Sequence, residues 1–196
     1  YSNDNLGTNS VVAQLLAGKV PVMSASDLYL NEHREYGLST NSQHSDGSGV
    51  AISSRLRPIL NMRPKYRHWL SPSLWQLNAD LHLTDWLEEK NLDFDVVTDE
   101  DLHIEGVDML NRYRCVLTGS HPEYSSEKML AAYESYQLNG GRWIYLGSDG
   151  FYWISEYHPD NPNIIEVRKG EAGTRAWTAN PGEYNNAFDG KYGGMW

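Results

Sequence analysis

Between residues 78 and 146 the apolar spacing switches back and forth between a helical and a strand period. That alternation narrows the possible folds more than any other feature of the chain. Asn78 is placed to cap a helix whose Leu83, Trp86 and Leu87 form an apolar stripe running to Asn91. Residues 94–98 (FDVVT) read as a short buried strand, 101–111 as a loop or short helix, and 113–118 (YRCVLT) as a second strand. Ser125 or Ser126 caps a further helix, with Met129, Leu130 and Tyr133 on one face and Gly140-Gly141 at its end. Residues 142–146 (RWIYL) read as a third strand. Strands separated by helices and short loops predict an α/β fold, a mostly parallel sheet flanked by helices with right-handed crossovers. Three strands are few for such a sheet, so further strands are expected in the first 75 residues or outside the chain.

The flanking segments differ. Residues 8–19 carry Val11, Val12, Leu15 and Leu16 at helical spacing, and residues 27–36 read as a second helix closed by Gly37. Residues 38–54 are a loop by composition, and Pro58, Pro64 and Pro72 leave room only for short elements over 55–74. Residues 164–168 read as a strand. Three parts follow: a loop-rich first part (1–75), an α/β core (76–168), and a Gly- and aromatic-rich segment (169–196) that is expected to cover something. The chain opens Tyr1-Ser2-Asn3 without an initiator Met and stops inside that last segment, so it is expected to be a piece of a longer polypeptide.

Charge and cysteine content exclude several classes of function. Asp and Glu outnumber Lys and Arg by 26 to 16, a formal charge of −10, which disfavours binding to phosphate backbones. Cys115 stands alone, so neither an internal disulfide nor a cysteine-based zinc cluster is possible. No apolar run approaches the ~20 residues that a membrane-spanning helix needs. The expectation is a cytoplasmic chain with no nucleic-acid or membrane partner.

In a parallel sheet, ligands bind beyond the carboxyl ends of the strands. The segment after the second strand, Thr118-Gly119-Ser120-His121-Pro122-Glu123-Tyr124, is the most informative there. Residues two apart on an extended turn point to one side, so His121 and Glu123 can reach one centre. Glu123 can serve as a hard oxygen ligand, and His121 as a ligand or general base. An isolated His-x-Glu is equally the pattern of a helix cap with a solvent-facing His. His44, before Ser45-Asp46-Gly47-Ser48-Gly49, is the next candidate. His103 and Glu105 repeat the spacing but read as a solvated charged loop. His82 reads as a surface residue, and His33, His68 and His158 have no neighbour at metal-site spacing. Cys115 lies mid-strand rather than on a nucleophile's turn, and reads as a buried core thiol.

Longer phrases add to this. Residues 117–124 (LTGSHPEY), 139–147 (NGGRWIYLG) and 150–153 (GFYW), with 44–49 (HSDGSG) and 57–64 (RPILNMRP), resemble the large subunit of the N,N-dimethylformamidases over nearly the whole chain. The resemblance implies a class I glutamine amidotransferase-like (flavodoxin-like) domain. It also implies a hydrolase that cleaves dimethylformamide to dimethylamine and formate at a mononuclear Fe(III) held by two tyrosines and a glutamate, with a histidine base. Carried over, Glu123 is the carboxylate ligand, His121 the base and Tyr1 the first tyrosine. Phe151, Tyr152 and Trp153, with Asp149 and His44, would build the substrate pocket. The second tyrosine falls where this chain has Asn41-Ser42-Gln43, and Asp149 stands where the family tends to carry Asn. Two alternatives remain: a metal site altered or lost, or a second tyrosine from elsewhere, such as Tyr36. The resemblance further implies a small helical partner subunit and assembly with more copies of the large subunit. Two other functions stay open, a non-catalytic scaffold on the same fold and an aromatic-rich carbohydrate-binding module. The parallel-sheet pattern argues against the second.

Overall fold

In the computed structural model, residues 50–57, 76–169 and 183–196 are described, together with positions 29, 32, 33, 35, 59, 62–65 and 74. The helix expected over 8–19, Tyr1, Tyr36, residues 41–43 and His44 lie outside them. The elements in order are β1 (Ile52–Ser54), α1 (Leu77–Glu89), α2 (Asp99–Glu105), α3 (Val107–Leu110), β2 (Cys115–Leu117), β3 (Tyr124–Ser125), α4 (Glu127–Leu138), β4 (Arg142–Ile144), β5 (Trp153–Ile154), β6 (Glu156–His158) and β7 (Asn161–Glu166).

The architecture is mixed α/β with small sheets of both senses. β2 pairs with β4 in parallel, Cys115 opposite Arg142 and Leu117 opposite Ile144. β3 pairs with β5, also in parallel. The third sheet is antiparallel, in the order β1-β7-β6. The expectation of a mostly parallel sheet is therefore corrected: the largest sheet among the described residues is antiparallel. Ile52–Ser54, expected as the end of a loop, forms a strand because it docks on β7. Residues 94–98, expected as a buried strand, have no ladder partner among the described residues, and Val96 and Val97 are 74% and 42% exposed. Without a neighbour to take its amides and carbonyls, an apolar run does not become a strand.

Helix boundaries follow the capping chemistry. Ser126 accepts the Met129 amide and starts α4, and Gly140, with a φ of 87°, follows its last turn. Thr98 and Asp101 exchange hydrogen bonds in a capping box that starts α2. Asn78 does not cap α1. The helix begins one residue earlier, where the Gln76 carbonyl accepts the amides of Ala79 and Asp80. Asn78 is thereby drawn into the first turn and buried.

The core lies where α2, α3 and α4 meet β5, β6 and β7, built from Leu102, Met109, Leu110, Met129, Tyr136, Trp153, Tyr157 and Ile165. His103 belongs with it. Expected in a solvated loop, it is 8% exposed on α2, its Nδ1 lies 2.8 Å from Ser126 Oγ, and its ring packs 4.2 Å from that of Tyr157. A helical turn carries it inward beside Leu102, while Glu105 stays outside and pairs with Arg112. Cys115 opens β2 as a free, half-buried thiol. Residues 193–196 cover the β3–β5 pair, as expected of the tail: Ile154 donates to the Gly194 carbonyl, Trp196 to Tyr152, and the Trp196 indole to Ser125.

Candidate functional site

Two loops leave the carboxyl ends of β2 and β4, and main-chain bonds join them. Thr118 donates its amide to Ile144 and accepts the Leu146 amide on its hydroxyl, extending the parallel pairing beyond both strands. Ser148 donates to the Ser120 carbonyl, Phe151 to Pro122, and both Tyr152 and Trp153 to Glu123. A side chain at position 147 would place its Cβ 2.4 Å from Pro122 Cδ, so the close approach of the loops requires Gly147. His121 and Glu123, both half-buried, are held on this joined rim.

Glu123 is oriented from across the rim. The Trp153 indole N–H donates to Glu123 Oε1 at 2.8 Å. Trp153 is buried and in turn lies under the Lys169 ammonium, 4.6 Å from ring centre to Nζ. Lys169, 3% exposed, donates to the Tyr124 hydroxyl at 2.6 Å. A cation on an aromatic face inside a protein fixes both partners more firmly than either contact does in water. Nothing in the sequence pointed to Lys169, because the cluster joins residues 45 apart. Asp80 on α1 is the second residue that sequence reasoning missed, and its carboxylate accepts the Ser120 amide at 2.6 Å.

The expected pocket residues are divided. Trp153 stands at the site through its bond to Glu123. The exposed Tyr152 ring meets Trp153 edge-on at 4.8 Å. Phe151 turns into an aromatic cluster with Tyr133, Trp143 and Tyr145. Asp149 is exposed on the same loop with a φ of 49°, a conformation to which Asn is also suited. Tyr1 and His44 lie outside the described residues. Among the described residues no group of three His, Cys, Asp or Glu side chains could hold a metal ion. An open concavity of about 380 Å³ lies at the other end of the β2–β4 pair, beside Arg114 and Arg142, away from His121 and Glu123.

Residues 10–196 match the family described as "N,N-dimethylformamidase beta subunit-like, C-terminal". The chain belongs to this family. Over 195 residues it is 47% identical to the N,N-dimethylformamidase beta subunit of Paracoccus aminophilus and 46% identical to that of an Alcaligenes species. Each match covers 99% of this chain and 25% of the relative, so the chain spans about a quarter of the length of the curated relatives it matches. The resemblance drawn from the phrases around His121 and Glu123 holds at the level of the family. Its relatives carry the name beta subunit where the sequence reading said large subunit. No helix among the described residues is long and apolar enough to cross a membrane.

Proposed function

We propose that this chain carries the hydrolytic site of an N,N-dimethylformamidase, with its beta subunit being the large subunit, and that it hydrolyses a small N-substituted formamide. The family membership supports the substrate class. The observation that carries the site is the Glu123 carboxylate fixed by the Trp153 indole on the rim that also presents His121. The domain around it is read as class I glutamine amidotransferase-like.

The residues fit a ferric ion in part. A half-buried carboxylate with one oxygen held by an N–H donor is an oriented hard ligand of the kind metal sites use. The resemblance implies that the remaining donors are phenolates, Tyr1 first. When bound, Fe(III) would supply Lewis-acid polarisation of the amide carbonyl. His121 takes a proton from the water that attacks the formyl carbon and returns it to the nitrogen as the C–N bond breaks. Dimethylformamide and water thus become dimethylamine and formic acid, which ionises to formate. Tyr152 and Trp153 supply apolar walls for the methyl groups. The partners are read as a small subunit and further copies of the large one.

Metal analysis and a visible spectrum of the complete polypeptide test this reading. Stoichiometric iron with a tyrosinate-to-iron charge-transfer band is expected, lost on Glu123→Ala. Asn41-Ser42-Gln43 and Asp149 favour a second reading, a scaffold with a degraded site. Neither iron nor band, under conditions where an intact relative binds iron, would establish the scaffold instead.

A further inference from the structure

We infer that Asp80 is a positioning residue for His121, set on α1 to lock the turn from which that imidazole projects; the inference rests on reading His121 as the base. After His121 the turn is tied by Phe151, Tyr152 and Trp153, which donate to Pro122 and Glu123, and before His121 it is tied on three sides. Thr118 ties it to the extension of β4, and the Ser120 carbonyl ties it to Ser148. The third tie comes from outside both loops: Asp80 Oδ1 accepts the Ser120 amide at 2.6 Å, from a residue 40 positions earlier in the chain.

The turn leaves room for this carboxylate. A Cβ on Gly119 would lie 2.9 Å from Asp80 Oδ2 and 3.0 Å from Oδ1, so glycine at 119 makes the room that Asp80 occupies. The Ser120 hydroxyl is buried and makes no hydrogen bond among the described residues. Ser120 is therefore held through its backbone, with the amide on Asp80 and the carbonyl on Ser148. The carboxylate sits in the first turn of a helix, where the dipole favours a negative group. Ser120 is the residue immediately before His121. The Ser148 bond holds the Ser120–His121 peptide through its carbonyl, and the Asp80 bond holds the preceding Gly119–Ser120 peptide through its N–H, so with Asp80 in place the backbone that carries the imidazole is fixed on both sides of the Ser120 Cα. A displacement of about 1 Å at a reacting group is enough to cost about 100-fold in rate.

The test uses the complete polypeptide, with kcat and KM for dimethylformamide, iron content, and hydrogen exchange of the peptide spanning Ser120. Asp80→Ala is expected to lower kcat about 10- to 100-fold with KM and iron content unchanged, and to speed exchange at the Ser120 amide. Asp80→Asn keeps an acceptor oxygen and is expected to restore most of the rate. Gly119→Ala pushes against the same carboxylate, so it should lower kcat, and less so when combined with Asp80→Ala. Wild-type kcat in Asp80→Ala beside an inactive His121→Ala would overturn this inference alone. A fully active His121→Ala would overturn the base reading and this inference with it. Equal losses of kcat, iron and thermal stability in Asp80→Ala and Asp80→Asn would reduce Asp80 to a folding residue and overturn the inference.

Discussion

His103 makes stability depend on pH in a way that can be worked from its surroundings. Its Nδ1 lies 2.8 Å from Ser126 Oγ, which already accepts the Met129 amide at the start of α4. The hydroxyl proton is thus free to point at a neutral imidazole nitrogen. Protonating the ring turns that nitrogen into a donor and strands the hydroxyl proton. Burial, aided by the nearby Lys128 charge, lowers the His103 pKa from 6.5 to about 4. The folded value lies below the unfolded one, so the unfolded chain takes up the proton first as the pH falls. The contribution is fully present above about pH 6.5 and is lost between there and about pH 4. By linkage it amounts to about 2 kcal/mol between pH 7 and pH 5, and about 3 kcal/mol by pH 4. Urea unfolding at a series of pH values, wild type beside His103→Gln, isolates it. The glutamine variant is expected to be less stable at pH 7.5 and to show a shallower decline below pH 6.5. Equal slopes for the two proteins, or an imidazole that titrates near 6.5 by NMR, would refute the argument.

Other perturbations have defined outcomes. Glu166 is fully buried and accepts from Arg168 Nε and the amides of Ala187 and Phe188. Glu166→Ala removes the acceptor of the Arg168 Nε–H and of two amides, while the half-buried guanidinium keeps its bond to the Glu183 carbonyl, and chemical denaturation should show a loss of about 3 kcal/mol. Trp153→Phe keeps an aromatic ring but removes the N–H on Glu123, and iron titration of the complete polypeptide should show about 10-fold weaker binding. Gly141→Ala drives a methyl to 2.4 Å from the buried Tyr136 ring, and thermal melting should report about 1–3 kcal/mol of destabilisation.

Much of the core was legible because local chemistry and packing agree there. Ser126 caps the helix that its position promised, and the parallel register of β2 with β4 follows from two short apolar runs joined through that helix. The reading failed where a neighbour decides. Residues 94–98 have strand composition and no strand beside them among the described residues. Asn78 has cap chemistry, but the helix starts after Gln76, whose carbonyl accepts its first intrahelical bonds and which makes no side-chain cap. His103 sits among acidic residues in sequence, yet one turn of helix faces it inward. At the site, His121 and Glu123 were visible because they share a turn. Asp80 and Lys169 were not, because they reach that turn from 40 and 45 residues away.

Those separations bear on the order of folding. The contacts of α2 with α3 close the shortest loops, and the His103–Ser126 contact of α2 with α4 spans 23 residues, so they cost less closure entropy than the longest spans of the rim. The rim joins Asp80 to Ser120, Glu123 to Trp153, Tyr124 to Lys169 and Ser125 to Trp196, spans of 40, 30, 45 and 71 residues. Contacts of such span are predicted to form on the native side of the folding barrier. Substitutions at Asp80 or Lys169 should therefore quicken unfolding and leave the refolding rate nearly unchanged, so the rim is expected to be the last part made and the first given up.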